Sequence, residues 1–108
     1  MNTWKIRTFG RNLDRGVPER PGVYTLTRAI RRHGLMIAAD HLYVGRSINL
    51  RRRWREHADR DEPNLGIRQA ANDSDVELWW AEFPTEDIAE VEGSLIAEIK
   101  PPMNSRGK

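Results

Sequence analysis

Leu42-Tyr43-Val44-Gly45-Arg46-Ser47-Ile48-Asn49-Leu50-Arg51-Arg52-Arg53-Trp54-Arg55-Glu56-His57 begins as a strand, turns at Gly45 and continues as a helix. Ser47 or Asn49 can cap that helix, because either side chain accepts from the orphan backbone N–H groups of a first turn. Leu50, Arg53, Trp54 and His57 fall at i, i+3, i+4 and i+7, which places all four on one helical face. Leu50 and Trp54 are apolar, so this face packs inward and draws Arg53 and His57 toward the body of the protein. A guanidinium and an imidazole at the edge of a packed face need a partner or an open cleft. That combination points to a site for an anion.

Working outward, Glu19-Arg20-Pro21-Gly22 is a turn signal. Val23-Tyr24-Thr25-Leu26-Thr27 then reads as a strand of β-branched and aromatic residues. Two strands this close in sequence pair antiparallel, with Arg28 to Asp40 as a connection longer than a tight hairpin. Leu35, Met36 and Ile37 are candidates to extend the second strand. Upstream, Trp4, Ile6 and Phe9 suit either a short edge strand or a strapping segment.

Downstream, the helix runs to about Ala58, and Asp61-Glu62-Pro63-Asn64 breaks the chain. A short helix over Leu65 to Ala71, ending at Asn72-Asp73, and a third strand over Val76 to Phe83 follow. Thr85-Glu86-Asp87 supplies a cap and acids at the start of a last helix, where the helix dipole favours them.

That last helix carries Ile88, Val91, Leu95, Ile96 and Ile99 on one stripe, and the stripe is broken only by Glu92. Glu86, Glu90 and Glu98 lie off the stripe and face solvent. A carboxylate among core residues must meet a cation, a metal or a strong donor. A salt bridge from Glu92 to Arg53 is the purely structural way to satisfy it.

The composition bounds the function. The 108 residues fit one domain, expected to span 1–108 with its core at about 20–105. Eighteen Lys plus Arg against 16 Asp plus Glu leave a formal net charge of +2, yet Arg46 to Arg55 holds five arginines and no acid. A locally basic face on a nearly neutral protein is compatible with nucleic acid. The absence of Cys removes disulfides, thiol nucleophiles and thiolate metal sites. With no run of 18 apolar residues and no apolar signal-peptide core, the expectation is a cytoplasmic protein without a membrane partner. At 38% hydrophobic residues, the four tryptophans must supply much of the core.

The ordered set Gly22-Val23-Tyr24, Tyr43-Val44-Gly45, Arg53, His57, Glu92 and Asn104 resembles the GIY-YIG nuclease family. Val replaces Ile in both signature triplets. Arg53 lies eight residues after Gly45, His57 four further on, and Asn104 eight after Ile96 with Pro101 between. The second triplet and its helix look closest to phage homing endonucleases. The Glu92 to Asn104 segment also looks like the nuclease subunit of bacterial excision repair. Arg46 departs from the lysine that such repair members often carry, keeping the charge but changing the hydrogen-bonding geometry. No appended DNA-binding domain is apparent, so the chain reads as the catalytic module.

The resemblance implies an α+β fold, a central three-stranded antiparallel sheet flanked by helices. It implies a metal-dependent DNA endonuclease, of a repair pathway or a mobile element, that nicks one strand per binding event. Glu92 would hold Mg²⁺ or Mn²⁺, Arg53 would bind the phosphate, and Tyr24 or Tyr43 would deprotonate water. A phenol is a poor base unless cations lower it, a task that falls to Arg53 and the metal. His57 would orient that tyrosine or relay its proton, and Asn104 would anchor the end of the last helix. Arg46, Arg51, Arg52 and Arg55 would contact DNA phosphates. The alternative is a catalytically silent or partner-dependent nucleic-acid-binding module, with a targeting protein or a second copy as partner.

Overall fold

A computed structural model describes residues 3–8, 16–58, 64–70 and 75–104. Phe9, the expected break at Asp61 to Pro63 and the helix end at Asn72-Asp73 lie outside them. The elements in chain order are β1 (Lys5–Thr8), β2 (Gly22–Arg32), β3 (Leu35–Ser47), α1 (Leu50–Ala58), α2 (Leu65–Ala70), β4 (Val76–Glu82) and α3 (Ile88–Ile99). The strands form one antiparallel sheet in the order β1-β4-β2-β3. The expected antiparallel sheet flanked by helices is present, and Lys5–Thr8 adds a fourth strand that covers the edge of β4.

Both faces of the sheet are covered. Tyr24, Leu26, Leu42, Leu78 and Trp80 pack with Leu50 and Trp54 of α1 and Ile67 of α2. Val23 and Val44 pack against Ile88, Val91, Leu95, Ile96 and Ile99 of α3 on the other side. Hence β2, the strand between β4 and β3, is buried at every residue from Gly22 to Thr27. Period-two alternation disappears in such a strand because neither face meets water. No helix among the described residues is long and apolar enough to cross a membrane.

The connection between β2 and β3 differs from the sequence expectation. In place of a loop over Arg28 to Asp40, the two strands continue to a tight turn at His33 and Gly34, whose φ values are +54° and +83°. Two successive positive φ angles match the twist of a hairpin. Bulges interrupt the pairing between Leu26 and Thr27 and between Ile30 and Arg31. β4 reaches only as far as the Arg28–Val76 pair, so the hairpin projects beyond the sheet with both faces largely in solvent.

Caps define the helix ends. Asn49 Oδ1 accepts from Arg52 N at 3.0 Å and starts α1, while Ser47 Oγ accepts from Asn49 N at 3.0 Å and braces the turn. Asn64 Oδ1 accepts from Ile67 N at 3.2 Å and starts α2. The cap expected at Thr85 is replaced by Asp87, whose side chain makes no cap hydrogen bond. Instead a backbone turn, Asp87 N to Pro84 O at 2.9 Å, leads into α3. Lys100, at φ +53°, donates its N–H to Ile96 O and ends the helix before Pro101. Replacing Asn49 by Ala should cost about 1 kcal/mol. A urea melt should show a lower midpoint with an unchanged slope.

Candidate active site

The signature triplets are places where backbone meets side chain. In the β2–β3 register Tyr24 lies opposite Gly45. A Cβ on Gly45 would sit 2.4 Å from both Cζ and Oη of Tyr24, closer than any real contact. A Cβ on Gly22 would sit 2.4 Å from the Ala81 carbonyl oxygen and 2.7 Å from Leu50 Cδ1. Glycine at the third place of the second triplet lets the Tyr24 ring lie flat on β3. Glycine at the first place of the first triplet lets α1 and β4 close on β2.

Tyr24, Tyr43, Arg53 and His57 are brought together on the α1 face. Tyr24 Oη and His57 Nε2 are 2.5 Å apart, with both residues buried. The Tyr43 ring lies 6.1 Å from that of Tyr24 and meets His57 edge-on at 5.5 Å. Tyr43 is half-buried and opens the cluster toward solvent. Burial first, and the Arg53 charge second, push His57 down to about 3, so its imidazole is neutral at pH 7. Burial first, and then Tyr43, raise the Tyr24 phenol well above 10, so it holds its proton. The Arg53 guanidinium lies near enough to the same phenol to act on it electrostatically. Tyr24 Oη and His57 Nε2 share one hydrogen bond, whose donor follows the imidazole tautomer.

Arg53 pulls Tyr24 down, but burial outweighs it, so the phenol keeps its proton in the resting protein. Burial likewise lowers Arg53, but the Tyr24 oxygen and a 2.9 Å hydrogen bond to Glu56 Oε1 more than offset this, so it is a permanent cation. Glu56 escaped the sequence reading, although its spacing of three from Arg53 on a helix was the available signal.

Glu92 stands apart from this cluster. It lies in the α3 stripe with its side chain 23% exposed, and Arg46 Nε approaches its Oε1 at 3.7 Å. Burial raises its carboxyl, and Arg46 only partly opposes that. The structural salt bridge to Arg53 is not formed, since Arg53 bonds Glu56 instead. Arg46 pairs with Val23 in register and shares the α3 face, opposite the tyrosines. Tyr43 and Arg46 both lie on β3, the outermost strand, on its opposite faces.

Asn104 touches neither group among the described residues. Its Oδ1 accepts from Val44 N at 2.9 Å, and its Nδ2 donates to Val44 O at 2.8 Å. With Met103 N donating to Leu42 O, it closes the free edge of β3 along the second triplet. Of the four arginines expected on phosphate, Arg46 faces Glu92, while Arg52 and Arg55 are exposed on α1. Arg51 is engaged within the fold, donating Nε to Val17 O at 2.8 Å beside Glu19.

Among the described residues no three His, Asp or Glu side chains converge as a metal cage. Among the described residues Glu92 is a lone carboxylate that would hold such an ion, and its contact with Arg46 is too long to saturate its oxygens. One carboxylate plus waters suits Mg²⁺, which keeps much of its hydration shell.

The fold is that of a nuclease domain. The chain superposes on the N-terminal GIY-YIG endonuclease domain of UvrC from Thermotoga maritima bound to magnesium. The TM-score is 0.59 at 20% identity, covering 86% of this chain and 97% of that one. A tyrosine-to-phenylalanine mutant of that domain, bound to the catalytic divalent cation, gives 0.58 at 18%, covering 86% and 96%. An asparagine-to-alanine mutant, also cation-bound, gives 0.58 at 19%, covering 85% and 94%. No curated protein sequence matches the chain. The family model of the GIY-YIG catalytic domain matches residues 20–105, and the chain belongs to that family.

Two outcomes follow from this geometry. The unfolded chain protonates His57 near 6.5 and the folded chain only near 3, so stability present above pH 6.5 is lost as pH falls toward 3. Across that window His57→Gln should lose stability less steeply than the parent, by up to about 1.4 kcal/mol per pH unit. Urea melts at successive pH values measure the difference. Gly45→Ala should displace the Tyr24 ring and cost about 1–3 kcal/mol at pH 7 by overpacking.

Proposed function

We propose that the chain, as one nuclease domain over residues 1–108, is a divalent-metal-dependent endonuclease that hydrolyses one DNA phosphodiester bond per binding event. The observation that carries this is the buried Tyr24–His57 hydrogen bond, with the Arg53 charge acting on both groups. A fold gains nothing by burying a phenol and a neutral imidazole beside a half-buried guanidinium where apolar side chains would pack. A reaction that moves one proton beside an anion needs all three.

Arg53 binds the non-bridging oxygens of the scissile phosphate and holds them as charge builds. The attacking water adds its oxygen to phosphorus and gives a proton to Tyr24 Oη, while the Tyr24 proton passes to His57 Nε2. The bond to the leaving oxygen breaks, and that oxygen takes a proton from solvent. The resting pKa order opposes the transfer, because His57 is held low partly by Arg53. A bound phosphate neutralises Arg53 and removes that cause, so the substrate itself raises the affinity of His57 for the proton. Mg²⁺ or Mn²⁺ on Glu92 would supply charge stabilisation for the phosphate and the leaving oxygen. Asn104 is a positioning residue, holding Val44 between Tyr43 and Gly45. Arg46, Arg52 and Arg55 supply contacts to the DNA backbone that carry no sequence information. One carboxylate site per chain cuts one strand, and two concerted cuts need a second copy.

The test is cleavage of supercoiled plasmid and of labelled single-stranded, duplex and branched DNA, with Mg²⁺ or Mn²⁺ against EDTA. Tyr24→Phe, Arg53→Ala and Glu92→Ala, each folded by its melting curve, should fall about 10²–10⁴-fold in rate. Full activity in Glu92→Ala, or none in the folded parent on any substrate, would overturn the assignment. Arg52→Ala should lower the slope of log affinity against log salt by about one.

A further inference from the structure

A cavity of about 300 Å³ lies between α3 and the sheet, lined by Trp4, Thr25, His41, Trp79, Leu95 and Ile99. None of these residues takes part in the mechanism above. The cavity shares the α3 face with Glu92, and Leu95 and Ile99 lie three and seven residues further along the same helix. At about 1.5 Å of rise per residue, the cavity begins about one helical turn from the Glu92 carboxylate. Its walls are flat and aromatic. Trp79 and His41 meet edge-on at 5.2 Å, and Trp4 is half-buried beside them. Trp79 is held in place, since its Nε1 donates to Glu77 Oε1 at 2.9 Å and Arg31 grips that carboxylate with both Nη atoms.

A buried polar chain ends in this cavity. Thr25 Oγ1 and Thr27 Oγ1 are 2.6 Å apart, and Thr27 Oγ1 and His41 Nδ1 are 2.8 Å apart. Burial lowers His41, so its imidazole is neutral at pH 7 and carries one proton. The three groups then hold three protons, one on each hydroxyl and one on the ring, and the two hydrogen bonds use two of them. Thr27 sits at 0% exposure in the middle, so the unused proton is forced to one end, Thr25 Oγ1 or His41 Nε2. Thr25 and His41 both line the cavity. Whichever tautomer His41 adopts, the cavity presents one hydrogen-bond donor between aromatic walls. Its complement is a flat ring bearing an acceptor.

We propose that this cavity is a base-binding subsite, which takes one unstacked nucleobase of the strand whose phosphate lies at Glu92. The proposal rests on the endonuclease reading and narrows it. A base can enter only from a single strand, a mismatch or a branch, so the domain selects unpaired DNA over intact duplex. Stacking on Trp and His is indifferent to base identity, so the selection is by structure more than by sequence.

Binding is measured in EDTA, so that cutting plays no part. Trp4 and Trp79 are half-buried whereas Trp54 and Trp80 are 3% and 1% exposed, so quenching of indole fluorescence reports on this cavity. A decamer of deoxythymidine should quench, a decamer of abasic residues should bind about tenfold more weakly, and intact duplex should quench least. Leu95→Phe, which fills the cavity from a half-exposed position, should weaken the deoxythymidine strand about tenfold and leave the abasic strand unchanged. Equal binding of abasic and base-bearing strands, or unchanged binding by folded Leu95→Phe, would overturn the subsite. Cleavage with Mg²⁺ is scored separately. Cutting that ignores Leu95→Phe and base removal sinks the subsite but leaves the nuclease. Base-dependent quenching without cutting supports the subsite and sinks the nuclease.

Discussion

The register that sets Tyr24 on Gly45 is the constraint on which everything else depends. A slip of one residue would turn every side chain of β3 to the other face. Tyr43 would join α3, Arg46 would enter the apolar layer beneath α1, and Val44 would lose Asn104. The missing Cβ at Gly45 makes the register self-checking, because in any other pairing the Tyr24 ring would meet a side chain. The bulge between Leu26 and Thr27 adds twist just beyond the paired triplets and separates the site from the projecting hairpin.

The tyrosine cluster is paid for by the hydrophobic layer around it. Leu26, Leu50, Trp54 and Trp80 remove water from Tyr24 and His57, and that burial is the largest cause of both pKa displacements. The same residues thus build the core and set the protonation states. Burial thus keeps the phenol and the imidazole both neutral at rest, hydrogen-bonded to one another. The α3 face works differently. Glu92 stays partly open to water and is met by Arg46 at a distance that leaves its oxygens accessible.

The helices were legible in the sequence because their periodicities were one-sided. Leu50 and Trp54 on α1, and the five aliphatic residues of α3, each mark a stripe that packs as its spacing demands. Glu92 was visible as the one break in such a stripe. The hairpin was illegible for the opposite reason. Both faces of residues 28–40 are largely exposed, so neither alternation nor a continuous apolar run marks them, and His33-Gly34 is not a common turn pair. β1 has four residues and earns its structure from the edge of β4, a property of β4 rather than of its own sequence. The protonation of Tyr24 and the Thr25–Thr27–His41 chain depend on burial and on contacts between strands, which composition does not reveal.

The clasp of Asn104 on Val44 has a consequence in time. It joins residues 60 positions apart, so the second triplet's strand edge stays open until almost all of the matching domain has been synthesised. Domains emerge from the ribosome at about 5–20 residues per second, and contacts between distant residues form late because closing the loop costs entropy. The sheet and α1 can assemble first, while the strand that bears Tyr43 still has its backbone unsatisfied at the edge. A nascent chain therefore carries Arg46 and the arginines of α1 before the edge of β3 beside Tyr43 is closed.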